Sequence, residues 1–346
     1  MVSIMDCIKL AKEIINGKQL TRQDPLQELV SADLQELKRG ADLIRRELLG
    51  DRVDLCTILS GISGRCSENC RFCAQSSHYH TACEEHGLLD TETILQAART
   101  HQIEGVDRFS IVNSGKGPHP DDFEEIIKSF KTLKQELEIG LCASLGFLTG
   151  EQFRRLREAG AGRFHCNIET SRRFFPEICT THSFEEKLEN IRRAQDAGLE
   201  ICSGVIIGMG ENWEDRIDMA LTLSELGILS IPVNSLMPIP GTPLEATPRL
   251  KEEEILRTIA IFRYINPKAH IRLAGGRALM ADNGRECFAA GASAGITGNM
   301  LTTSASTTAG DRQMLRELGR ILNPDQRHPQ KKGGEDPSLI GHQQAH

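Results

Sequence analysis

"VDLCTILSGISGRCSENCRFC", residues 53–73, joins two signals. Its first eight residues are largely apolar, as a buried strand requires, and its end places Cys66, Cys70 and Cys73 at C-x3-C-x2-C spacing. A strand running into a thiol-bearing loop predicts an α/β unit with its chemistry at the strand's C-terminal end, the face on which barrel active sites are built. Three thiolates are one short of a closed tetrahedral zinc site. His78, His80 or Cys83 would close it as a zinc clip. Alternatively, three thiolates hold three irons of a [4Fe–4S] cluster and leave the fourth iron open to a chelating small molecule.

Outward from this stretch the same unit recurs. Short apolar runs predict strands near 53–60, 107–113, 138–145, 163–169, 199–206, 229–235, 269–274 and 293–297. Charged amphipathic stretches between them predict helices at 91–104, 121–136, 150–159, 184–197, 214–226 and 250–264. Thr149 and Ser183 stand as N-caps before two of these, with Gly closing each end. Eight strands alternating with helices predict the α/β class and closure into a (β/α)8 TIM-type barrel over residues 51–322. An open doubly wound sheet is the runner-up. Residues 1–50 read as an N-terminal helical extension broken near "TRQDP", and 323–346 as a disordered tail rich in Pro, Gly and Gln.

The chain has 346 residues, 41 Lys and Arg against 48 Asp and Glu, and a net charge of −7, so nucleic acid is not the expected partner. No run of about 18 apolar residues predicts a membrane span. The N-terminus lacks a signal-peptide core, which places the expected location in the cytoplasm. Eleven cysteines in a reducing compartment favour metal, redox or buried apolar roles over disulfides.

The loop "CSENCRFCAQSSHYHT" resembles the cluster loop of the biotin synthases, members of the radical S-adenosylmethionine (SAM) superfamily. "HCNIETS", "EICSGVIIGMGE", "PVNSLMPIPGTPL", "IRLAGGR" and "MLTT" extend the resemblance, in the family's order, across roughly residues 35–320. It implies a [4Fe–4S] cluster on Cys66, Cys70 and Cys73, with SAM on the open iron. Reductive cleavage of SAM then gives a 5′-deoxyadenosyl radical that activates dethiobiotin for sulfur insertion. The resemblance assigns Phe72, Asn167, Glu169, Lys187, Ile206 and Met237 to SAM, with Lys187 standing where the family usually has Arg. It assigns Asn234 to the ureido ring, Thr302 and Thr303 to the valeryl carboxylate, and His165 to a second ureido contact where the family usually has Asn. A flavodoxin- or ferredoxin-type reductant and a homodimer are implied as partners.

The family usually carries a second iron–sulfur cluster inside the barrel, held by three Cys and one Arg. Cys142, Cys202 and Arg272 match three of these positions, but the fourth is Ser110. Cys56 and Cys166 sit mid-strand elsewhere, which favours replacement over loss. The expectation is an auxiliary cluster, of four-iron type or otherwise [2Fe–2S], drawing on Cys56, Cys142, Cys166 and Cys202 with Arg272 beside it. A hydrogenase-cofactor maturase, a methylornithine synthase-like mutase and a non-catalytic iron–sulfur or zinc protein are the alternatives. "GMGEN" after the fifth strand resembles half a phosphate-binding loop, and a barrel turn accounts for it equally.

Overall fold

The computed structural model describes residues 6–298 and 307–324. Nine strands form one parallel sheet: β1 Asp54–Ile62, β2 Arg108–Asn113, β3 Gly140–Ser144, β4 Arg163–His165, β5 Glu200–Cys202, β6 Val205–Ile207, β7 Ser230–Ser235, β8 His270–Leu273 and β9 Ala294–Ile296. Their order is β5-β4-β3-β2-β1-β9-β8-β7-β6, and a β5–β7 pairing at Cys202 and Ser230 closes the ring. The architecture is the (β/α)8 barrel, with β5 and β6 serving as the two halves of one stave.

That division departs from the single strand expected at 199–206, and it has a local cause. Pro232 on β7 has no N–H to offer at the level where the stave breaks. Opposite it, a Cβ on Gly204 would fall 1.9 Å from the Pro232 carbonyl oxygen, so only glycine fits. The freed Gly204 N–H donates to the side-chain oxygen of Asn167 at 3.0 Å. The strand expected at 163–169 also ends early, at His165, and the chain beyond it runs irregularly past Gly204.

The helices between the strands follow the amphipathic stretches closely: Thr91–Ile103, Pro120–Glu136, Gly150–Ala159, Phe184–Asp196, Trp213–Glu225 and Glu252–Ile265. Thr149 and Ser183 both form full capping boxes, with Gln152 and Glu186 reaching back. Ahead of the barrel lie helices Cys7–Ile15, Gln27–Ser31 and Leu34–Leu49. The last packs closely on Glu252–Ile265, because a Cβ on Gly40 would lie 1.7 Å from the Tyr264 hydroxyl oxygen. That hydroxyl donates to the Cys7 carbonyl at 2.9 Å.

At the strand starts, charged residues line the barrel floor. Arg272 on β8, 1% exposed at its side chain, reaches Asp54 on β1 at 2.5 Å, and Arg108 on β2 reaches the same carboxylate at 3.0 Å. Burial would raise the Asp54 pKa, but the two guanidinium groups outweigh it and hold the carboxyl well below the usual range. The stabilisation is therefore present above the ordinary carboxylate value and is lost as pH falls through the depressed one. Replacing Asp54 by Ala strands Arg272 as an uncompensated buried charge. The expected cost is about 3–5 kcal/mol, read as a lower midpoint in urea denaturation at pH 7.

Candidate functional site

Beyond β1 the thiol triplet lies in a loop stitched by its own backbone. Cys66 N–H donates to Gln75 C=O at 2.9 Å, Ser77 N–H to Cys66 C=O at 2.8 Å, and Cys73 N–H to Cys70 C=O at 3.0 Å. Asn69 pins the loop to a second segment: its side-chain oxygen accepts from Thr180 N–H, and its amide donates to the Thr180 hydroxyl. Cys66, Cys70 and Cys73 are all half-buried free thiols. Their sulfurs are not gathered within 4.8 Å of one another. A single tetrahedral ion, with metal–sulfur bonds of about 2.3 Å, needs sulfurs only about 3.8 Å apart. The spacing suits a multi-iron cluster better than one zinc. Two residues considered as closing ligands are engaged elsewhere, His78 with Ser67 C=O at 3.0 Å and Cys83 with the Ser63 hydroxyl at 3.7 Å.

A different thiol approaches the triplet. Cys179, buried, lies 3.7 Å from the Cys70 sulfur. Its polar neighbours in sequence disguise it as a loop residue, and only the fold brings the two segments together.

Asn167, Glu169 and Lys187 converge beside the loop. Glu169 adopts a left-handed backbone, φ 65°, rare for a residue with a long side chain and a mark of an imposed geometry. Its C=O accepts from Ile206 N–H at 2.8 Å, which ties it to β6. One carboxylate oxygen lies 3.7 Å from the Lys187 ammonium, while the other is buried without a partner. Burial raises the Glu169 pKa, and Lys187 opposes the rise. An orphaned acceptor at this depth fits a ligand that brings hydroxyl donors. Lys187 is buried too, and Glu169 keeps its pKa raised against burial, so it remains a cation. Phe72 and Ile206 join one small apolar cluster with Ile178, Met209, Leu236 and Leu244, a surface suited to a flat aromatic base. Met237 follows this cluster and is half-buried.

Below them is a cavity of about 260 Å³ lined in part by His165, Asn167, Glu169, Lys187, Asn234 and Arg272. Asn234 is committed on both sides, accepting from Gly275 N–H at 2.9 Å and donating to Val205 C=O at 3.1 Å, which leaves one donor and one lone pair. Asn113, at the end of β2, keeps both its amide nitrogen and oxygen buried and unpaired. Nothing in its sequence context separates it from an ordinary strand end. Thr302 and Thr303 lie outside the described residues.

The barrel interior around the third residues of its strands, of which His165, Cys202 and Arg272 line the cavity, is rich in thiols. The third residues of β1, β2, β3, β4, β5 and β8 are Cys56, Ser110, Cys142, His165, Cys202 and Arg272. Such layers are ordinarily bulky aliphatics. Burial pushes the Cys56 thiol up to about 11 and the Cys142 thiol up to about 12, while nearby arginines pull the other way. Burial, reinforced by Arg272, Arg163 and Arg108, holds His165 neutral, with its pKa lowered to about 3. The Ser110 hydroxyl and the Arg272 Nε are buried without partners. Cys166 is the exception among the expected ligands. It falls one residue past the end of β4 and lines the cavity itself, with its sulfur 3.7 Å from the Asn190 amide and Lys187 nearby. Cys56, Cys142, Cys202 and Arg272 lie within electrostatic reach of one another, while the charged neighbours of Cys166 are Lys187 and Glu169.

The "GMGEN" loop binds its own carboxylate. Glu211 accepts from Gly208 N–H at 2.7 Å and Met209 N–H at 2.8 Å, and pairs with Arg216 at 2.8 Å. The phosphate-like nest is filled by the chain itself.

Two family models match the chain: the Radical SAM superfamily over residues 61–223 and the Biotin and Thiamin Synthesis associated domain over residues 232–321. Biotin synthase of Clostridium beijerinckii is 54% identical over 90% of this chain and 98% of that protein. Biotin synthase of Alkaliphilus metalliredigens is 52% identical over 91% and 99%, and biotin synthase 2 of Corynebacterium diphtheriae 45% over 92% and 97%. Among solved structures, methylornithine synthase superposes with a TM-score of 0.79 at 22% identity, covering 91% of this chain and 98% of that one. A maturase of the [FeFe]-hydrogenase gives 0.78 at 19%, covering 91% and 75%. These two share the barrel.

Proposed function

The chain belongs to the biotin synthase family of radical SAM enzymes, and from that premise we propose which of its residues do the work. It is a sulfur-inserting enzyme with a [4Fe–4S] cluster and SAM. When bound, these groups supply one-electron cleavage of SAM and the radical that removes hydrogen from dethiobiotin.

Cys66, Cys70 and Cys73 hold the cluster from the loop after β1. Phe72, Ile206 and Met237 form the adenine surface, Lys187 faces the methionyl carboxylate, and Asn167 and Glu169 receive the ribose hydroxyls. The observation that carries the SAM site is Glu169, whose left-handed backbone turns a carboxylate oxygen into the interior with no partner of its own. In the cavity beneath, Asn234 offers the cyclic urea its remaining donor and lone pair, and His165 adds a neutral imidazole. Thr302 and Thr303 receive the distal carboxylate.

For the auxiliary cluster, the thiol layer supports Cys56, Cys142 and Cys202 as its cysteines and sulfur donation as its role. The guanidinium groups of Arg272, Arg108 and Arg163 offer positive charge to an anionic cluster in a dry interior, and the free Arg272 Nε–H offers a hydrogen bond. A flavodoxin- or ferredoxin-type reductant, a homodimer and a cytoplasmic setting complete the reading. Among the described residues no helix is long and apolar enough to cross a membrane.

The test is anaerobic turnover of the reconstituted chain with SAM, dethiobiotin and a flavodoxin reductant, scoring biotin and 5′-deoxyadenosine together. 5′-Deoxyadenosine without biotin would overturn the substrate assignment. In the same assay Glu169→Gln is expected to lose a charge-assisted hydrogen bond worth about 1.5–3 kcal/mol, which raises the KM for SAM about 10- to 100-fold. Iron content stays unchanged, because Glu169 holds no iron.

A further inference from the structure

Cys179, His182 and Glu68 have no part in the reading above, yet they form the most tightly organised donor group beside the cluster loop. The ligand atoms of Cys70, Cys179 and His182 all lie within 4.8 Å of one another, and no other set of three such donors is so gathered among the described residues. The sulfurs of Cys70 and Cys179 are 3.7 Å apart, and the Cys179 sulfur lies 3.4 Å from His182 Nδ1 and 3.7 Å from Nε2. A tetrahedral ion with bonds of about 2.3 Å to sulfur and about 2.0 Å to nitrogen needs donor separations of about 3.8 Å and about 3.5 Å. The sulfur–sulfur and sulfur–Nε2 separations, 3.7 Å each, therefore match a single ion, and the sulfur pair is too tight for two ligands of one cluster on different irons.

The surroundings fit the same occupant. His182 Nδ1 is bonded to the Glu68 carboxylate at 2.5 Å, which fixes the ring and leaves Nε2 for a metal. The Thr181 hydroxyl donates to the same carboxylate oxygen at 2.9 Å, so Glu68 is itself held. His182 and Glu68 are 3% and 8% exposed at their side chains. A carboxylate–imidazole–metal relay of this form orients the ligand and raises its basicity. A thiolate, thiolate and imidazole set selects a borderline divalent cation of the zinc class over magnesium or calcium.

We propose that the cluster-free chain holds one divalent cation of the zinc class on Cys70, Cys179 and His182, with Glu68 behind His182 and a fourth position for water. Binding displaces the two thiol protons, so occupancy weakens as pH falls. Cys70 cannot serve this ion and the [4Fe–4S] cluster together. The two states are mutually exclusive, and zinc held here opposes cluster assembly. Only that exclusion rests on Cys70 being a cluster ligand.

The probe is cobalt(II) alone, added anaerobically to the full-length chain stripped of iron. The expected result is one equivalent bound, with thiolate-to-cobalt charge transfer and intense tetrahedral d–d absorption, bleached by one equivalent of zinc. Cys66→Ala/Cys73→Ala keeps this spectrum. Cys179→Ala and His182→Ala weaken binding at least about tenfold, and Glu68→Gln about 10- to 100-fold, with far-ultraviolet circular dichroism unchanged. A spectrum lost in Cys66→Ala/Cys73→Ala but kept in Cys179→Ala would place the ion on the triplet and overturn the proposal. The absence of tetrahedral cobalt in the unsubstituted chain would overturn it as well, with no variant involved. Failure of the cluster assignment reads differently: Cys66→Ala/Cys73→Ala would then reconstitute with undiminished iron.

Discussion

The Cys66→Ala/Cys70→Ala/Cys73→Ala variant is expected to make no 5′-deoxyadenosine and to hold about four irons, against about eight expected in the unsubstituted chain. The reasoning starts from the loop. Its thiols are spread too widely for one ion, half-exposed at the strand ends, and adjacent to the convergent Asn167, Glu169 and Lys187. Among the described residues no other loop carries three cysteines in so short a span, so no residual ligand set is expected to rescue SAM cleavage. The barrel is untouched, because the loop hangs from β1 by backbone bonds that alanine retains. The interior thiol layer should therefore keep its own metal. Anaerobic iron and acid-labile sulfide analysis, paired with chromatography for 5′-deoxyadenosine, checks both halves. About six irons in the unsubstituted chain and about two in the variant would identify a [2Fe–2S] auxiliary cluster. About four and none would leave the loop cluster alone and remove the interior one from the mechanism.

The complementary substitution, Cys56→Ala/Cys142→Ala/Cys202→Ala, is expected to abolish biotin formation while 5′-deoxyadenosine is still made. About four irons remain, those of the loop. The three thiols sit at equivalent positions of β1, β3 and β5, in a layer that also holds the unpaired Arg272 Nε and Ser110 hydroxyl. Those orphaned polar atoms are costly in a dry core unless something answers them. Cys166→Ala distinguishes this set from the wider one expected from the strand pattern. Its sulfur lies against the Asn190 amide and its charged neighbours are Lys187 and Glu169 rather than the other thiols, so its removal should leave the iron count unchanged. An iron loss on Cys166→Ala equal to that on Cys202→Ala would restore Cys166 as a ligand. Thermal denaturation of each variant separates loss of cluster from loss of fold.

Much of the molecule was legible beforehand because its signals are local. Strand and helix positions follow from apolar periodicity, and the caps at Thr149 and Ser183 from short-range hydrogen bonding. The triplet was legible because three cysteines within eight residues are held by one loop. The departures have non-local causes. The fifth stave breaks because Pro232, on another strand, withholds a hydrogen bond and leaves room only for Gly204. Cys166 reads as mid-strand because strand four reads as continuous to residue 169, whereas the strand ends at His165 and Cys166 lies just beyond it, still buried. His165, on β4, lines one cavity with Asn234 and Cys202, residues brought together only by closure of the barrel. Cys179 has polar neighbours in sequence yet lies buried against Cys70.

The sequence by itself determined the barrel, the cluster loop and the family, since periodicity, close spacing and ordered motifs are carried by neighbouring residues. The tertiary structure alone decided which distant side chains meet: Cys56 with Cys142 and Cys202, Arg272 with Asp54, and Cys70 with Cys179 and His182. Those pairings depend on strand register and on the alternation of faces. One residue more or less moves a side chain to the opposite side of the wall, and no local signal records the result.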